Sequence, residues 1–469
     1  MGWRAYHEAT KHSSESLHRS RHFLDWANMP DPFRHYEGAP LIDLPADPPH
    51  PGTSQPAAGA EFLSQLLYYS AAISATKVVP ATGYRYALRV NPSSGNLHPT
   101  EFHFVTRGLR DWPDGLYHYR PSSHMAEQRA LGRFDLGDAP VVFVLTSIAW
   151  REAWKYRERA YRYCLHDAGH AWQSLAMAAE AMGCMAYAEG SFDDDALAEA
   201  LRLSSDEWPM LLVPVDGAIP TREPEGGDTV WSPGEPNELS AERIAYPPID
   251  EIHAATKALV TGADEPAAQG CGEIALPQHA PALQSFGEAA RTRRSALDFE
   301  GGDRGIGLDQ LATLLDAAAS PLECGFGGFV QLHLYAHRVA GLEPGVYRHW
   351  PGSASLETLR LGDQRVMAAG LSLGQSLAGN ACVAFSMIAG LERACRVHGD
   401  RGYRYAHFEA GAIGQRLYLA AERLGLRATG VGAFFDDEVH RYLGLSPDQG
   451  QVIYHFAIGY PVHDPRLAG

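Results

Sequence analysis

The chain has 469 residues, of which 45% are hydrophobic and 20% charged, and its formal net charge is -17. That length calls for two or three domains. The acidic balance excludes a protein that grips a phosphate backbone mainly through Lys and Arg.

In chain order, apolar residues recurring at three and four predict a helix over 63–72. The stretch 91–101 reads NPSSGNLHPTE, two prolines and a glycine among polar and ionisable side chains, and is expected to be a turn. A strand follows over 102–106. The run Val141, Val142, Phe143, Val144 and Leu145 predicts a buried strand within 138–147. The segment 161–183 reads as one long helix closed by Gly183. Pro-, Gly- and Asn-containing clusters fill 217–285, which is expected to be a linker. A helix over 308–319 and strands over 331–335 and 451–458 follow. Helices and strands mix without regular βαβ alternation, so the expected class is α+β.

The six cysteines, at 164, 184, 271, 324, 382 and 395, form no CxxC pair. They read as reduced thiols of a cytoplasmic protein, without the ligand spacing of a zinc site. No apolar run of about 18 residues predicts a membrane span. The N-terminal stretch lacks the apolar core of a secretory signal, and Tyr6 stands where a myristoylation motif needs Ser or Thr. His166 and His170 form HxxxH, but Asp167 replaces the glutamate of a metalloprotease motif, so no metal is expected. Asp193, Asp194 and Asp195 read as an acidic loop or helix start rather than a metal site.

The chain repeats itself. Adding 242 to Tyr161-Arg162-Tyr163, Ala168-Gly169, Gln173, Leu175 and Gly183 returns Tyr403-Arg404-Tyr405, Ala410-Gly411, Gln415, Leu417 and Gly425. The offset continues through Gly190 and Gly432, Phe192 and Phe434, and Asp194-Asp195 and Asp436-Asp437. Upstream the offset is 230, where Gly115-Leu116-Tyr117 matches Gly345-Val346-Tyr347 and His103 matches His333. The expected organisation is a first copy over 1–216, the linker, and a second copy over 286–469.

The copies differ in complementary ways. In the second, the loop Pro92-Ser93-Ser94-Gly95-Asn96 is replaced by Leu322-Glu323-Cys324-Gly325-Phe326. Lys155-Tyr156, a plausible acid/base pair, becomes Val397-His398. Conversely, the second copy opens with Arg293-Arg294-Ser295, which suits a phosphate, and the first copy has no such cluster. A single site built between the two copies explains this pattern.

Arg293-Arg294-Ser295 followed by Phe299 resembles the opening motif of the nitroreductases, and Pro92-Ser93-Ser94-Gly95-Asn96 resembles their Ser/Asn loop. The resemblance implies FMN held between two subunits, here fused into an intramolecular pseudo-dimer with one flavin site lost. Within the family the chain is most similar to the SagB-type (ThcOx-like) dehydrogenases. Tyr6-His7-Glu8-Ala9-Thr10-Lys11-His12-Ser13, the run from Ser94 to Glu101, and Gly341-Leu342-Glu343-Pro344-Gly345-Val346-Tyr347 carry that likeness.

The resemblance implies oxidation of an azoline to an azole in natural-product biosynthesis, with Lys155 or Tyr156 as base. It implies flavin contacts from Pro92, Ser93, Ser94, Asn96, Arg293, Arg294, Ser295, Gly432 and Ala433, with Arg466 as a late basic residue. Leu297 stands where many members carry a second basic residue. The expected partner is a small-molecule or peptide substrate, with no nucleic acid or membrane. Two other readings are an NAD(P)H-dependent nitro- or quinone reductase, and a non-catalytic peptide-binding module.

Overall fold

The computed structural model describes residues 1–19, 23–52, 58–263 and 269–467. Its centre is two antiparallel sheets with the same strand order. In the first, Met125–Leu131, Gly115–Arg120, Thr100–Thr106, Val141–Ile148, Glu207–Gly217 and Cys184–Ala186 lie side by side. In the second the order is Ser355–Leu361, Gly345–Trp350, Val330–Ala336, Val383–Ala389, Gln451–Gly459 and Arg427–Val431. The register repeats as well: His103 faces His118, and their counterparts His333 and Arg348 face one another. Val141–Ile148 is buried at every position, as its unbroken apolar run requires of a central strand. The change of offset from 230 to 242 falls between Met125–Leu131 and Val141–Ile148. There the second copy inserts the short helices Arg365–Leu371 and Ser376–Asn380.

Each copy has one long helix, Ala160–Ala181 and Arg401–Arg423, and the two cross at the middle of the molecule. The crossing point is a pair of equivalent glycines. A Cβ on Gly169 would collide with the Phe408 carbonyl, and one on Gly411 with the His166 carbonyl. Glycine lets the two backbones approach closely.

Beside the crossing stand two equivalent ion-pair clusters. Asp436 accepts from Arg162 at 2.9 Å and Arg159 at 3.1 Å, and Asp194 accepts from Arg404 and Arg401, each at 2.5 Å. All six side chains are buried. This is the self-complementary geometry of a twofold interface, made by one chain.

The stretch 217–285 contains the helix Pro247–Ala255. Thr256 just after it accepts from Arg404 Nε at 2.8 Å, as Thr10 after the helix Trp3–Ala9 accepts from Arg162 Nε at 3.0 Å. The two short helices thus hold equivalent places in the pseudo-dimer. The helix predicted over 63–72 runs over Gly59–Tyr68, because residues 69–72 turn into the hairpin Ile73–Val78 with Arg85–Arg89. None of the described helices is long and apolar enough to cross a membrane.

Candidate functional site

The turn 91–101 leads from the hairpin into the central strand Thr100–Thr106. Gly95 and Asn96 both sit at φ 60° and His98 at 49°, a left-handed run that Gly and Asn tolerate. The polar side chains fix this conformation. Ser93 Oγ accepts from the His98 N–H at 2.7 Å, and Asn96 Nδ2 donates to the Ala87 carbonyl at 3.0 Å. Asn96 Oδ1 faces His98 Nε2 at 3.2 Å. Asp167, on the first long helix, accepts from the Ser94 N–H at 3.1 Å and from its hydroxyl at 3.0 Å. Arg151 donates to the His98 carbonyl at 2.7 Å and to Glu101 at 2.5 Å. Pro92 is buried at the root of the turn.

Arg151 belongs to the helix Ala149–Tyr156, whose last residues are Lys155 and Tyr156. Arg157, at φ 53°, ends that helix. Both candidate acid/base groups converge on Gly95. A Cβ placed there would stand 2.8 Å from the Tyr156 hydroxyl and 3.0 Å from Lys155 Nζ. The Tyr156 ring packs on Tyr163 at 4.5 Å. Burial, followed by the nearby Glu152, Tyr163 and Asp167, pushes the Tyr156 phenol well above its ordinary value, so the hydroxyl keeps its proton at neutral pH.

The second copy reaches the same place from the opposite side. Tyr163 OH donates to the Gly432 carbonyl at 3.0 Å, and Arg159 reaches it at 3.3 Å. The Ala433 carbonyl accepts from Gln375 at 3.1 Å. Arg293 crosses between the copies and donates to the carbonyls of Val90 at 2.8 Å and Arg89 at 3.1 Å, immediately before the turn. Arg294 grips Ser74 through its carbonyl at 2.7 Å and its hydroxyl at 3.0 Å. Ser295 Oγ meets Tyr418 OH at 2.8 Å, and Tyr418 OH accepts from the Gly430 N–H at 3.0 Å.

The structure therefore brings together the turn, Lys155, Tyr156, Gly432 and, one layer away, Arg293. Arg466 lies against the strand Ile73–Val78, in which Arg294 grips Ser74. It forms a bidentate pair with Asp464, at 2.8 Å on each arm, and its carbonyl takes the Val78 N–H.

Several buried polar atoms here lack a partner within the chain. Arg293 Nη1, both nitrogens of His166 and Nδ1 of His170 make no hydrogen bond. His166 stacks on Tyr454 at 4.4 Å, and His170 Nε2 meets Tyr454 OH at 3.1 Å. Unpaired buried polar groups in one place call for an explanation. A flat ligand rich in hydrogen-bonding atoms and carrying an anionic end fits them, with Arg293 offering its free N–H.

The equivalent place on the other side is filled. Phe326, the counterpart of Asn96, stacks on Tyr405 at 4.4 Å and 8° and touches Trp172 at 5.8 Å. Trp172 is the counterpart of Gly414 at the offset of 242. An indole and a phenyl ring occupy one side where the other has glycine and asparagine.

Sequence reasoning missed four residues of the site: Glu152, Asp167, Tyr163 and Tyr418. For Glu152 a signal existed, because its counterpart is Ala394. Tyr418 carries the same mark, since its counterpart is Ala176, whereas Tyr163 carries none, its counterpart Tyr405 being identical.

Known proteins are similar to this chain over much of its length. A family model described as the nitroreductase family matches residues 70–217 and 290–460. A provisionally named nitroreductase of Methanocaldococcus jannaschii is 36% identical over 119 residues, which is 25% of this chain. The chain covers 59% of that relative's length. A solved structure of a provisionally named nitroreductase from Anabaena variabilis aligns over 98% of this chain and 99% of its own, at 27% identity and a TM-score of 0.82. That likeness extends over both copies and the segment between them.

Proposed function

The chain belongs to the nitroreductase family, and on that premise we propose that it is an FMN-dependent oxidoreductase of the SagB type, acting on an azoline or a related amino-acid-derived ring. One observation carries the reading. The turn of the first copy, the Lys155-Tyr156 pair and the Gly432 backbone of the second copy meet at one place, while the opposite place is filled by Phe326 and Trp172.

Bound between the copies, FMN would supply the hydride-accepting ring. Arg293, Arg294 and Ser295 would hold its phosphate end, and Ser94, Asn96 and the Gly432 backbone would border the ring. Aromatising an azoline removes one hydride and one proton. Lys155 Nζ takes the proton, and Tyr156, kept as a neutral phenol, donates a hydrogen bond. A positioned base is worth about 10² to 10⁴ in rate. A nitro- or quinone reductase accepts hydride on its substrate and has no use for such a base.

The test is an ultraviolet-visible spectrum of the purified protein, with flavin counted after denaturation. About one FMN per chain, lost in Asn96→Ala and Arg293→Ala, supports a single site between the copies. Two per chain would refute the single-site reading. No flavin, even after FMN is added, would leave a binding module as the better account.

A further inference from the structure

Glu152 stands one helical turn before Lys155 and Tyr156, on the side of the helix that they share. Its side chain is fully buried, and neither carboxyl oxygen makes a hydrogen bond. The like charge that acts on it most strongly is Asp167, from the long helix packed alongside. The two carboxyl groups interact through space, without the geometry of a formed hydrogen bond. Lys155 is the cation that acts on Glu152.

The duplicate copy separates the roles of the two acids. At Asp167 the second copy keeps an acid, Glu409, which accepts from the N–H groups of Phe329 at 2.9 Å and Val330 at 3.2 Å. Asp167 does the same kind of work for Ser94. Holding the turn is thus a task of the long helix in both copies. Glu152 makes no formed hydrogen bond, Ser93 of the turn being the last of the groups that act on it, and its counterpart is Ala394, beside Val397 and His398 in place of Lys155 and Tyr156. Glu152 is present only where the acid/base pair is present. An unpartnered buried carboxyl has a structural cost, and loop support does not account for it.

We propose that Glu152 and Asp167 form a proton-sharing pair behind Lys155, which takes up the proton that Lys155 removes from the substrate. This rests on the acid/base reading above. In the first step a substrate C–H bond breaks and its proton bonds to Lys155 Nζ; bound FMN would be the hydride acceptor. In the second, the N–H bond breaks and that proton bonds to Glu152, whose own proton passes to the carboxylate of Asp167. Nζ is neutral again, and no electron moves between groups in this step.

The setting suits the role. Burial and then Asp167 push the Glu152 carboxyl up, and burial pushes Asp167 up to about 7 against the opposing bonds from Ser93 and Ser94. The other titratable groups facing the pair are Tyr156, Tyr163 and Tyr454 and the Cys164 thiol. Burial raises all four, so they stay neutral. Two buried carboxyl groups side by side disfavour the doubly charged state, so the pair is suited to keep one proton, and a second neutralises it.

Infrared titration of the protein as purified tests the pair without any substrate. The expected result is a protonated-carboxyl C=O band that persists near neutral pH and is lost in Glu152→Gln. In Asp167→Asn the remaining band should titrate at lower pH, because the like charge is gone. No band in the wild-type protein, or one unchanged in Glu152→Gln, overturns the pair.

Stopped-flow flavin reduction with a thiazoline-bearing peptide tests the coupling. Glu152→Gln should slow reduction about tenfold, part of the ~10² to 10⁴ that acid/base assistance supplies, and should move the acidic limb of the pH profile. Loss of the band with an unchanged rate and profile would also overturn the proposal. A band that behaves as expected in a protein that oxidises no azoline places the failure in the proposed activity instead.

Discussion

The reciprocal ion pairs allow a comparison in which one half of the molecule controls for the other. Asp436→Asn and Asp194→Asn make the same change in the two copies. Each carboxylate is buried and faces two guanidinium groups. Removing one partner of a buried pair leaves the other uncompensated, at a cost of about 3–5 kcal/mol. Asparagine keeps the shape and one accepting oxygen, so the lower end of that range is expected for both. At about 1 °C per kcal/mol for a cooperative unit of 469 residues, thermal unfolding should fall by roughly 3 °C in each. The two should differ in flavin. Asp436 anchors Arg159, which reaches the Gly432 carbonyl at 3.3 Å beside Tyr163. The equivalent contact, Arg401 to the Gly190 carbonyl at 2.6 Å, lies on the filled side. Asp436→Asn should therefore release FMN, measured as free-flavin fluorescence well below the unfolding temperature, and Asp194→Asn should retain it. Equal retention, or release only from Asp194→Asn, would show that the site is not where the complementary losses place it.

Burial alone would raise the Asp436 carboxyl, but Arg159 and Arg162 overcome it and hold the group below its ordinary value. Its contribution is therefore complete above the unfolded carboxylate range, near about pH 4, and is lost as the pH falls below it. A stability profile of Asp436→Asn should lose that acidic dependence. Phe326→Ala should cost about 3–5 kcal/mol by denaturant unfolding, yet bind no second FMN, because Trp172 still fills the space. Gly169→Ala and Gly411→Ala should be similarly damaging, at about 1–3 kcal/mol or more, since each new methyl meets a backbone carbonyl that has nowhere to move. Lys155→Met should slow azoline-dependent flavin reduction by about 10² to 10⁴. Tyr156→Phe should slow it only about fivefold, the worth of one neutral hydrogen bond of about 1 kcal/mol.

Local signals predicted local structure well. Apolar periodicity and Gly183 outlined the helix now seen at Ala160–Ala181, and Gly183 does take a left-handed φ of 76°. The unbroken apolar run around Phe143 became a central strand buried on both faces. What stayed hidden depends on partners far along the chain. Asp194 reads as part of an acidic loop or helix start, and both it and Asp436 begin a helix, but their arginines lie more than 200 residues away in sequence. Nothing near either position announces an ion pair. The helix Pro247–Ala255 was obscured by the prolines that begin it, since Pro-Pro reads as loop although proline suits the first helical turn. Arg466 was placed with the flavin contacts by resemblance, and its geometry is an ion pair with Asp464.

The pattern of sameness between the copies follows from what each part must do. The crossing glycines and both Arg-Asp clusters lie on the interface, and a twofold interface needs both halves of every contact. Changing one copy there breaks a contact in the whole molecule, so the two copies match at Gly169 and Gly411, at Arg162 and Arg404, and at Asp194 and Asp436. The two clefts beside the interface are independent of one another. Once fused in one chain, either can be given up without touching the other. An abandoned flavin cleft would leave a void, and voids cost about 24 cal/mol per Å³. Large aromatic residues remove that cost, and Phe326 and Trp172 are what stands there, stacked into the Tyr405 layer. The same freedom would remove an unpaired group that no longer serves a reaction, and Ala394 stands opposite Glu152. On the proposed mechanism, the unbonded buried carboxyl of Glu152 is kept in the cleft where Lys155 would have a proton to pass on.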